Sequence, residues 1–505
     1  MALFDSGMHQ WMRGVMQLTK VANHMQADAL QAMCKYTVMG PALEATYGHL
    51  NDNPLRMTFS GVRKMASLHP LFSSMAARFP DSITYQFGIG KDGAATSRGF
   101  DNVNLAIDPT RPDLFHRGAA LVQDLNSKEH QPVAYQDLLE APVIDGETAD
   151  VQVKTAIESP FQNLTRISST AAEDNKVVYL SAPMSGHFST LASKPVQNYL
   201  NAGYTVYLRD LKDAANEPLQ NGVFGMEEQV RDFIDHMQYI HQREGRAAQV
   251  SAICQGSIPV VIGSAYMAKH NAPYKPEKLF ITSAPIDVSV TQSPVNKFAE
   301  EMSETDFSVR ETTVVPFGKP GAGRLVRAGR SQVGAFKGAN PGMHMAGEFS
   351  LANAVAGGQV NWEKYLELDR QAILDAIRDG KMSKVEETFA KELEFRIEYH
   401  TEADHDAASY VDAGTKNFLG NFLMAGTATY DGETIDLKDL DMPILAVDAG
   451  RDNISAPGQT MGIFQATNDQ LDARAMLVEG KGHFWWGGES SRKSHWPQIL
   501  AWHSA

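Results

Sequence analysis

The chain has 505 residues, of which 43% are hydrophobic and 21% charged, and its formal net charge is −15. This length predicts several domains or one domain with large insertions, and the acidic balance argues against nucleic-acid binding, which requires a basic surface. Two cysteines, Cys34 and Cys254, are too few for a disulfide framework and fit a reducing compartment. Because the sequence shows neither a secretory signal nor a run of eighteen apolar residues, we expect a cytoplasmic protein without a transmembrane segment.

The first ~35 residues carry large apolar side chains at helical spacing. These residues are Phe4, Met8, Trp11, Met12, Val15 and Met16. The pattern predicts an amphipathic helix that packs on the body of the protein, or alternatively one that docks on a lipid-like or polymer surface. We expect residues 1–150 to form a partly helical N-terminal extension, to which the sequence assigns no function.

From about residue 176, short β-rich runs alternate with longer amphipathic segments. The runs are "KVVYLSAP", "YTVYLRD", "QVSAIC" and "KLFITSAP", and two more, "MPILAVDAG" and "ARAMLVEG", follow only at 442–480. This alternation predicts an α/β fold with a mostly parallel sheet and helices on both faces. We therefore expect an α/β core in two parts, 151–290 and 441–505, with a largely helical cap inserted over 291–440.

The stretch "VSAICQGSIPVVIGSAYMA", residues 250–268, places Cys254 between an apolar strand and an apolar helix. In α/β hydrolases such a corner carries the nucleophile, and the tight turn requires small residues two positions away on each side. Ala252 and Gly256 meet that requirement, although the general motif has glycine at both positions. A lone cysteine at a strand end is more often inert packing, so this motif alone is a weak indication.

Two later residues complete the pattern of a catalytic triad. Asp452 follows the strand "PILAVDAG", and His483 follows the next strand, "AMLVEG". This is the chain order of nucleophile, acid and base in α/β hydrolases. The imidazole would take up the thiol proton, the thiolate of Cys254 would attack an ester carbonyl, and His483 would then activate water or another acceptor.

An acyl-transfer site also needs backbone donors for the developing oxyanion. One is expected at Gln255, directly after the nucleophile, and the other in the loop "SAPMSGHFST", where Met184 and Ser185 are the candidates. His187 in that loop is a rival base, although a substrate-facing or loop-fixing role suits its position better.

The motifs together resemble those of the intracellular poly(3-hydroxybutyrate) depolymerases. "APMSGHFSTL", "YLRDLKDAANEPL", "AICQGSIPV", "APIDVSVTQSPVN", "YDGETIDLKDL", "GRDNISAPGQT" and "GKGHFWW" occur in the order typical of that family, over roughly 175–490. The resemblance implies an α/β-hydrolase fold with Cys254 as nucleophile, Asp452 as acid and His483 as base. It also implies a polyhydroxyalkanoate polymer or granule surface as partner, release of 3-hydroxybutyrate monomers or oligomers, and no metal or cofactor.

The chain departs from the family at the elbow, where Cys-Gln-Gly, ending in Gly256, replaces the usual Cys-Gln-Pro. Because of this departure, the substrate or the subfamily stays open. The segment after the base is also unusually aromatic. Trp485 and Trp486 either line a groove for an apolar polyester or pack beneath the loop.

Two other functions remain open. A polyhydroxyalkanoate synthase or coenzyme A-dependent acyltransferase uses the same three residue types, but synthases favour a Gly-x-Cys-x-Gly-Gly elbow, from which Ala252 and Ser257 depart. A non-catalytic granule-coating protein would have no use for a triad. The sequence leaves open the acyl acceptor, the hydroxyacid chain length and assembly into a homo-oligomer.

Overall fold

A computed structural model describes residues 56–58, 104–106 and 112–505, apart from 129, 145, 174, 340–346, 349, 353, 356, 366, 469 and 470. Its contacts divide the chain into two compact units, one comprising 1–131 and 334–401, the other 132–333 and 402–505. Cys34 and the amphipathic segment expected at the N-terminus lie outside the described residues. The expected cap, 291–440, is shared between the two units, and its role as a cap stays a prediction.

The elements are numbered in chain order within the described residues. The strands are β1 (Arg56–Thr58), β2 (Asn104–Ala106), β3 (Val143–Ile144), β4 (Glu147–Thr148), β5 (Val151–Glu158), β6 (Gln162–Ser169), β7 (Val177–Ser181), β8 (Thr205–Leu211), β9 (Gln249–Ile253), β10 (Leu279–Thr282), β11 (Thr313–Val314), β12 (Leu325–Arg327), β13 (His405–Asp406), β14 (Thr429–Tyr430), β15 (Glu433–Thr434), β16 (Ile444–Ala449) and β17 (Ala473–Val478). The α-helices are α1 (Pro112–Ser127), α2 (Tyr135–Leu138), α3 (Ser193–Asn201), α4 (Met226–Glu244), α5 (Ser257–Lys269), α6 (Pro294–Glu300), α7 (Gly329–Ala339), α8 (Arg370–Asp379), α9 (Lys384–Tyr399), α10 (Ala407–Asp412), α11 (Glu489–Ser494) and α12 (Trp496–Ser504).

The second unit is built on an eight-stranded sheet with the order β5-β6-β8-β7-β9-β10-β16-β17. The six strands from β8 to β17 in this order run parallel, whereas β6 is antiparallel to both of its neighbours. This order, with the second strand reversed, is that of the α/β hydrolases. The chain has an α/β-hydrolase fold. The six parallel strands are those that the sequence predicts, so the expected fold class is confirmed.

Side-chain pattern explains why the central strands lie inside. Every residue of β7, β9 and β16 is buried, as expected for parallel strands covered on both faces. α5 is apolar almost all round and is buried along nearly its whole length. It lies close to α4 because Gly263 has no side chain; a Cβ there would lie 2.6 Å from the ring of Phe233.

The antiparallel pair β5 and β6 extends the sheet beyond the strands that the sequence analysis identifies. No position of β5 is fully buried, which is typical of an edge strand. The segment "GMEEQVRDFIDHMQYIHQREG" is helical as predicted: α4 follows Gly225 and ends at Glu244, and the next residue, Gly245, has a φ of +71°.

The first unit has a core of its own, formed mainly by side chains of α1, α8 and α9. Its buried members are Leu121, Leu125, Leu351, Val355, Val360, Tyr365, Leu368, Ile373, Phe389, Ala390, Leu393 and Ile397. Arg370 of α8 is also buried and forms ion pairs with Glu394 and Glu398 of α9. The charged stretch before residue 400 is therefore helical, as the sequence predicts. Among the helices described, none is both long and apolar enough to cross a bilayer.

Candidate active site

Cys254 lies at a sharp corner between a strand and a helix. β9 ends at Ile253, a 3-10 turn spans Cys254–Gly256, and α5 begins at Ser257. The φ of Cys254 is +55°, in the left-handed region that costs a residue with a side chain roughly 1–2 kcal/mol. Such strain persists only where the surrounding structure holds it, and here it places a buried free thiol at the carboxyl edge of the sheet.

The residue two positions after Cys254 has room for no side chain. A Cβ on Gly256 would lie 2.3 Å from the carbonyl oxygen of Ala182 and 2.9 Å from Ser181 Oγ. The Ser181 hydroxyl donates a hydrogen bond of 2.9 Å to the Gly256 carbonyl. The end of β7 therefore lies directly against the elbow.

Asp452 and His483 form a buried pair on the loops after β16 and β17. Nδ1 of His483 lies 2.9 Å and 2.8 Å from the two carboxylate oxygens of Asp452. Oδ1 of Asp452 also accepts hydrogen bonds from the backbone N–H groups of Ile454 and Ser455, at 2.8 and 2.9 Å. These bonds fix the carboxylate, which in turn fixes the imidazole with its proton on Nδ1 and leaves Nε2 for another partner.

On its other side the His483 imidazole lies within electrostatic reach of Cys254, which contributes to the shift of its pKa. Burial alone would lower the pKa of His483, but the nearby Asp452 and Cys254, with the hydrogen bonds to Asp452, outweigh it and raise that pKa to about 10. The structure thus brings together all three residues that the sequence analysis assigns to a triad. At neutral pH the site is built to hold an imidazolium beside the sulfur.

The backbone that carries His483 is attached to the end of β10. Ser283, with a φ of +49°, donates from its hydroxyl to the carbonyl oxygen of His483 at 3.2 Å. One residue earlier, Thr282 Oγ1 accepts a hydrogen bond of 3.1 Å from the indole of Trp485. Sequence analysis identifies neither Ser283 nor Thr282, and a strained residue at the end of a neighbouring strand has no local sequence pattern.

The candidate oxyanion loop, residues 182–188, follows β7 and is fixed at several points. Ser185 Oγ and His187 Nδ1 are 2.9 Å apart and share a hydrogen bond, and both residues are buried. The backbone of His187 also bridges to Glu402. These contacts favour the loop-fixing role of His187. Gln255 is the middle residue of the turn Cys254–Gly256. Its N–H and those of Met184 and Ser185 stay the predicted donors.

Two residues that sequence analysis misses, the half-buried His405 and the buried Arg209, contact this loop. Nε2 of His405 accepts a hydrogen bond of 3.1 Å from the Gly186 N–H. Burial, with smaller effects of Arg209 and His187, lowers the pKa of His405 to about 4, so at neutral pH the ring is uncharged and can accept. Arg209 of β8 reaches the sulfur of Met184 at 3.6 Å. A charged residue within the apolar run "VYLRDL" is the one local indication of this role.

The aromatic residues after the base pack inside the protein. Trp485 and Trp486 are 3% and 1% exposed. The carbonyl of Trp486 accepts a hydrogen bond of 2.9 Å from the indole of Trp496. These contacts favour packing beneath the loop, and substrate contact by either indole stays a prediction. Phe484, which is half-buried and lies edge-on to His483 with ring centroids 5.3 Å apart, is better placed beside the base.

No group of three or more His, Cys, Asp or Glu side chains within the described part of the chain is arranged to hold a metal ion. The groups at the elbow are a thiol, an imidazole, a carboxylate and backbone N–H groups. These are the components of nucleophilic acyl transfer.

Comparison with known proteins gives matches at the level of structure alone. No family model matches the chain, and no curated protein is similar to it in sequence. A monoacylglycerol lipase of Paleococcus ferrophilus is 14% identical, covers 67% of this chain and 98% of its own, and has a TM-score of 0.37. Carboxylesterase CesB of Bacillus subtilis is 11% identical, covers 77% and 98%, and has a TM-score of 0.36. Similarity at this level assigns neither an activity nor a substrate to the chain.

Proposed function

We propose that the chain is a carboxylic ester hydrolase that cleaves poly(3-hydroxybutyrate) or a related polyhydroxyalkanoate inside the cell. The observation that carries the proposal is the arrangement at the elbow. The His483 imidazole hydrogen-bonds Asp452 and lies within electrostatic reach of the strained Cys254. An inert packing cysteine needs neither a left-handed φ nor a buried imidazole–carboxylate pair beside its sulfur.

In the first half-reaction, His483 holds the proton from Cys254, and the thiolate attacks the carbonyl carbon of an ester. A carbon–sulfur bond forms and the carbonyl oxygen takes up the negative charge, which the N–H of Gln255 and one N–H of the 182–188 loop would stabilise. As the tetrahedral intermediate collapses, the carbon–oxygen ester bond breaks. The leaving alkoxide takes the proton from His483 and departs as an alcohol, leaving a thioester on Cys254.

In the second half-reaction, neutral His483 removes a proton from a water molecule, and the resulting hydroxide attacks the thioester. The second tetrahedral intermediate expels the Cys254 thiolate and releases a carboxylic acid, while His483 keeps the proton and restores the starting pair. Asp452 stabilises the imidazolium in both halves without itself taking up the proton. With a 3-hydroxyacid polyester as substrate, the products are 3-hydroxyacid monomers or oligomers.

The substrate class is supported by the sequence resemblance to the intracellular depolymerases, which covers roughly 175–490. The half-buried Phe484 beside His483 adds an apolar surface next to the base. We infer a cytoplasmic protein that acts at the surface of polyester granules. Because the same half-reactions run with a thiol as acceptor, coenzyme A in place of water is the principal competing assignment.

The test is the release of 3-hydroxybutyrate from amorphous poly(3-hydroxybutyrate) particles. Cys254→Ala should lower the rate by several orders of magnitude, because a triad loses its function when the nucleophile is removed. Cys34→Ala is the matched control, since it removes the other cysteine of the chain and should leave the rate unchanged. Iodoacetamide should likewise inactivate the wild type and the Cys34→Ala variant equally, with the label on Cys254.

Each alternative predicts a different result in the same assay. A synthase would leave the particles intact and release free coenzyme A from 3-hydroxybutyryl-coenzyme A. A coenzyme A-dependent acyltransferase would act on the particles only when coenzyme A is added, and would then form the coenzyme A thioester. A granule-coating protein would bind the particles and release nothing. Full hydrolysis by Cys254→Ala would overturn the proposal.

A further inference from the structure

The hairpin formed by β11 and β12 presents an unusual apolar surface. Val314 and Leu325 are directly paired across the two strands and are 56% and 49% exposed. Residues directly opposite each other on an antiparallel pair point to the same face. Phe317, in the connecting loop, is 100% exposed. Large apolar side chains scattered singly need no explanation, but a group of them on one face indicates an interaction site.

The exposed face extends onto the neighbouring segment, residues 216–223. Leu219 and Val223 are 57% and 60% exposed. Leu219 lies against the hairpin, since its Cδ1 would be 3.4 Å from a Cβ on Gly323. We call this surface, composed of Leu219, Val223, Val314, Phe317 and Leu325, the hairpin patch. Its members come from two segments that are far apart in sequence, so the tertiary structure alone assembles it.

The hairpin patch is mounted rigidly on the protein. On the reverse face of the hairpin, Val315 and Val326 are buried in a cluster with Phe161 and Phe224. Arg324, which is 3% exposed, donates to the carbonyl oxygens of residues 217, 218 and 222 and to the carboxylate of Asp406. Such a surface loses little conformational entropy when it binds, because its backbone is already ordered.

The segments that form the hairpin patch expose no carboxylate, and the exposed charge in the connecting loop is Lys319. No Asp or Glu occurs between residues 312 and 333, although the chain as a whole has a net charge of −15. The carboxylates that contact these segments are paired: Glu217 with Lys212, Asp406 with Arg324 and Glu311 with Arg327. Binding of this face to a neutral apolar surface would therefore not require the desolvation of an exposed carboxylate on these segments.

The hairpin patch also lies on the edge of the sheet that carries the candidate site. The segment 216–223, whose backbone carbonyls accept hydrogen bonds from Arg324, follows β8 in the chain. The carboxyl ends of β7, β8 and β9 lie at one edge of the sheet. β12 pairs with β13, whose His405 binds the backbone of Gly186 in the candidate oxyanion loop. A surface bound at the hairpin is thus presented to the same edge as Cys254.

We propose that the hairpin patch is the contact by which this protein adsorbs to the apolar surface of an insoluble polyester. The inference rests on the proposed function and extends it from the chemistry at Cys254 to the capture of a solid substrate. A soluble ester reaches the thiol by diffusion and does not need the hairpin patch. A granule must be held while successive esters are cleaved, so loss of the hairpin patch lowers turnover of particles and spares turnover of soluble esters.

The test measures depletion of the protein from solution by amorphous poly(3-hydroxybutyrate) particles, and in parallel the hydrolysis of 4-nitrophenyl butyrate. Phe317→Ser should weaken adsorption about tenfold, because its whole side chain is available for burial against the polymer. Leu325→Ser should also weaken it. Leu477→Ser is the matched control, since Leu477 is 45% exposed on β17, far from the hairpin in sequence. All three variants should hydrolyse the soluble ester like the wild type.

Several outcomes would overturn the inference. One is unchanged adsorption by a folded Phe317→Ser, and another is an equal loss in Leu477→Ser. If dilution lowered the molecular mass of the wild type in solution but not that of Phe317→Ser, the hairpin patch would be assigned to contacts between copies of the chain. Equal binding to phosphatidylcholine vesicles would assign it to membranes. If the wild type neither hydrolyses nor adsorbs to polyester, the proposed function itself fails; hydrolysis with no effect of Phe317 refutes the hairpin patch alone.

Discussion

The replacement Asp452→Asn tests the orientation of the imidazole with almost no change in shape. Oδ1 of Asp452 accepts from two backbone N–H groups at 2.8 and 2.9 Å, and an asparagine oxygen can keep both bonds. Its amide NH₂ would then take the place of Oδ2, which lies 2.8 Å from His483 Nδ1. Because an NH₂ group cannot accept the Nδ1 proton, the imidazole would move that proton to Nε2 and could no longer take one from Cys254.

The size of the effect follows from the charge that Asp452 stabilises. Together with Cys254 it raises the pKa of His483 from 6.5 to about 10, against the effect of burial. Each pKa unit is about a factor of ten in the balance between imidazole and imidazolium. Without the carboxylate and with the wrong tautomer, kcat/KM should fall by about 10²–10⁴.

The assay is hydrolysis of 4-nitrophenyl butyrate, combined with the rate at which iodoacetamide modifies Cys254. Both rates should fall in Asp452→Asn, because the imidazole no longer supports the thiolate. Asp472→Asn is the matched control: its side chain is exposed and pairs with an exposed Arg474, and such surface pairs contribute little. If Asp452→Asn kept more than about a third of the wild-type rate, the pair would be structural and the reasoning would be refuted.

Three further predictions follow from the same contacts. Gly256→Ala should lower the free energy of unfolding by about 1–3 kcal/mol in urea titrations, because its Cβ would lie 2.3 Å from the Ala182 carbonyl; an unchanged midpoint would contradict the packing at the elbow. His405→Leu should lower kcat for a soluble ester more than it raises KM, because the Gly186 N–H loses its acceptor. His405→Gln restores an acceptor and should recover much of kcat. An equal loss of kcat in both variants would argue against a role of His405 in positioning the loop. Folding raises the pKa of His483, so the folded chain keeps a proton that the unfolded chain releases above pH 6.5. This contribution to stability is complete below pH 6.5 and is lost as the pH rises through about 10. The difference in unfolding free energy between wild type and His483→Gln should therefore shrink over that window, and a constant difference would refute the shift.

Local pattern was sufficient to predict the α/β core. The apolar runs that became β7, β8, β9, β10, β16 and β17 are short and bounded by turns, and α4 has helical periodicity between two glycines. Because a parallel sheet gathers the carboxyl ends of its strands at one edge, chain order alone was enough to expect Cys254, Asp452 and His483 close together. The edge pair β5 and β6 was missed, since alternation in one exposed strand is a weak pattern.

The tertiary structure decided which side chains surround these three residues. His405 is hydrogen-bonded to Gly186, which lies 219 positions away in the chain. Ser283 is hydrogen-bonded to His483, which lies 200 positions away. Such contacts depend on how loops from different strands pack, and no local periodicity encodes them. The burial of Trp485 and Trp486 and the assembly of the hairpin patch are of the same kind. Sequence determines an element through interactions a few residues apart, whereas the environment of a site is set by distant segments that meet only when the sheet has formed.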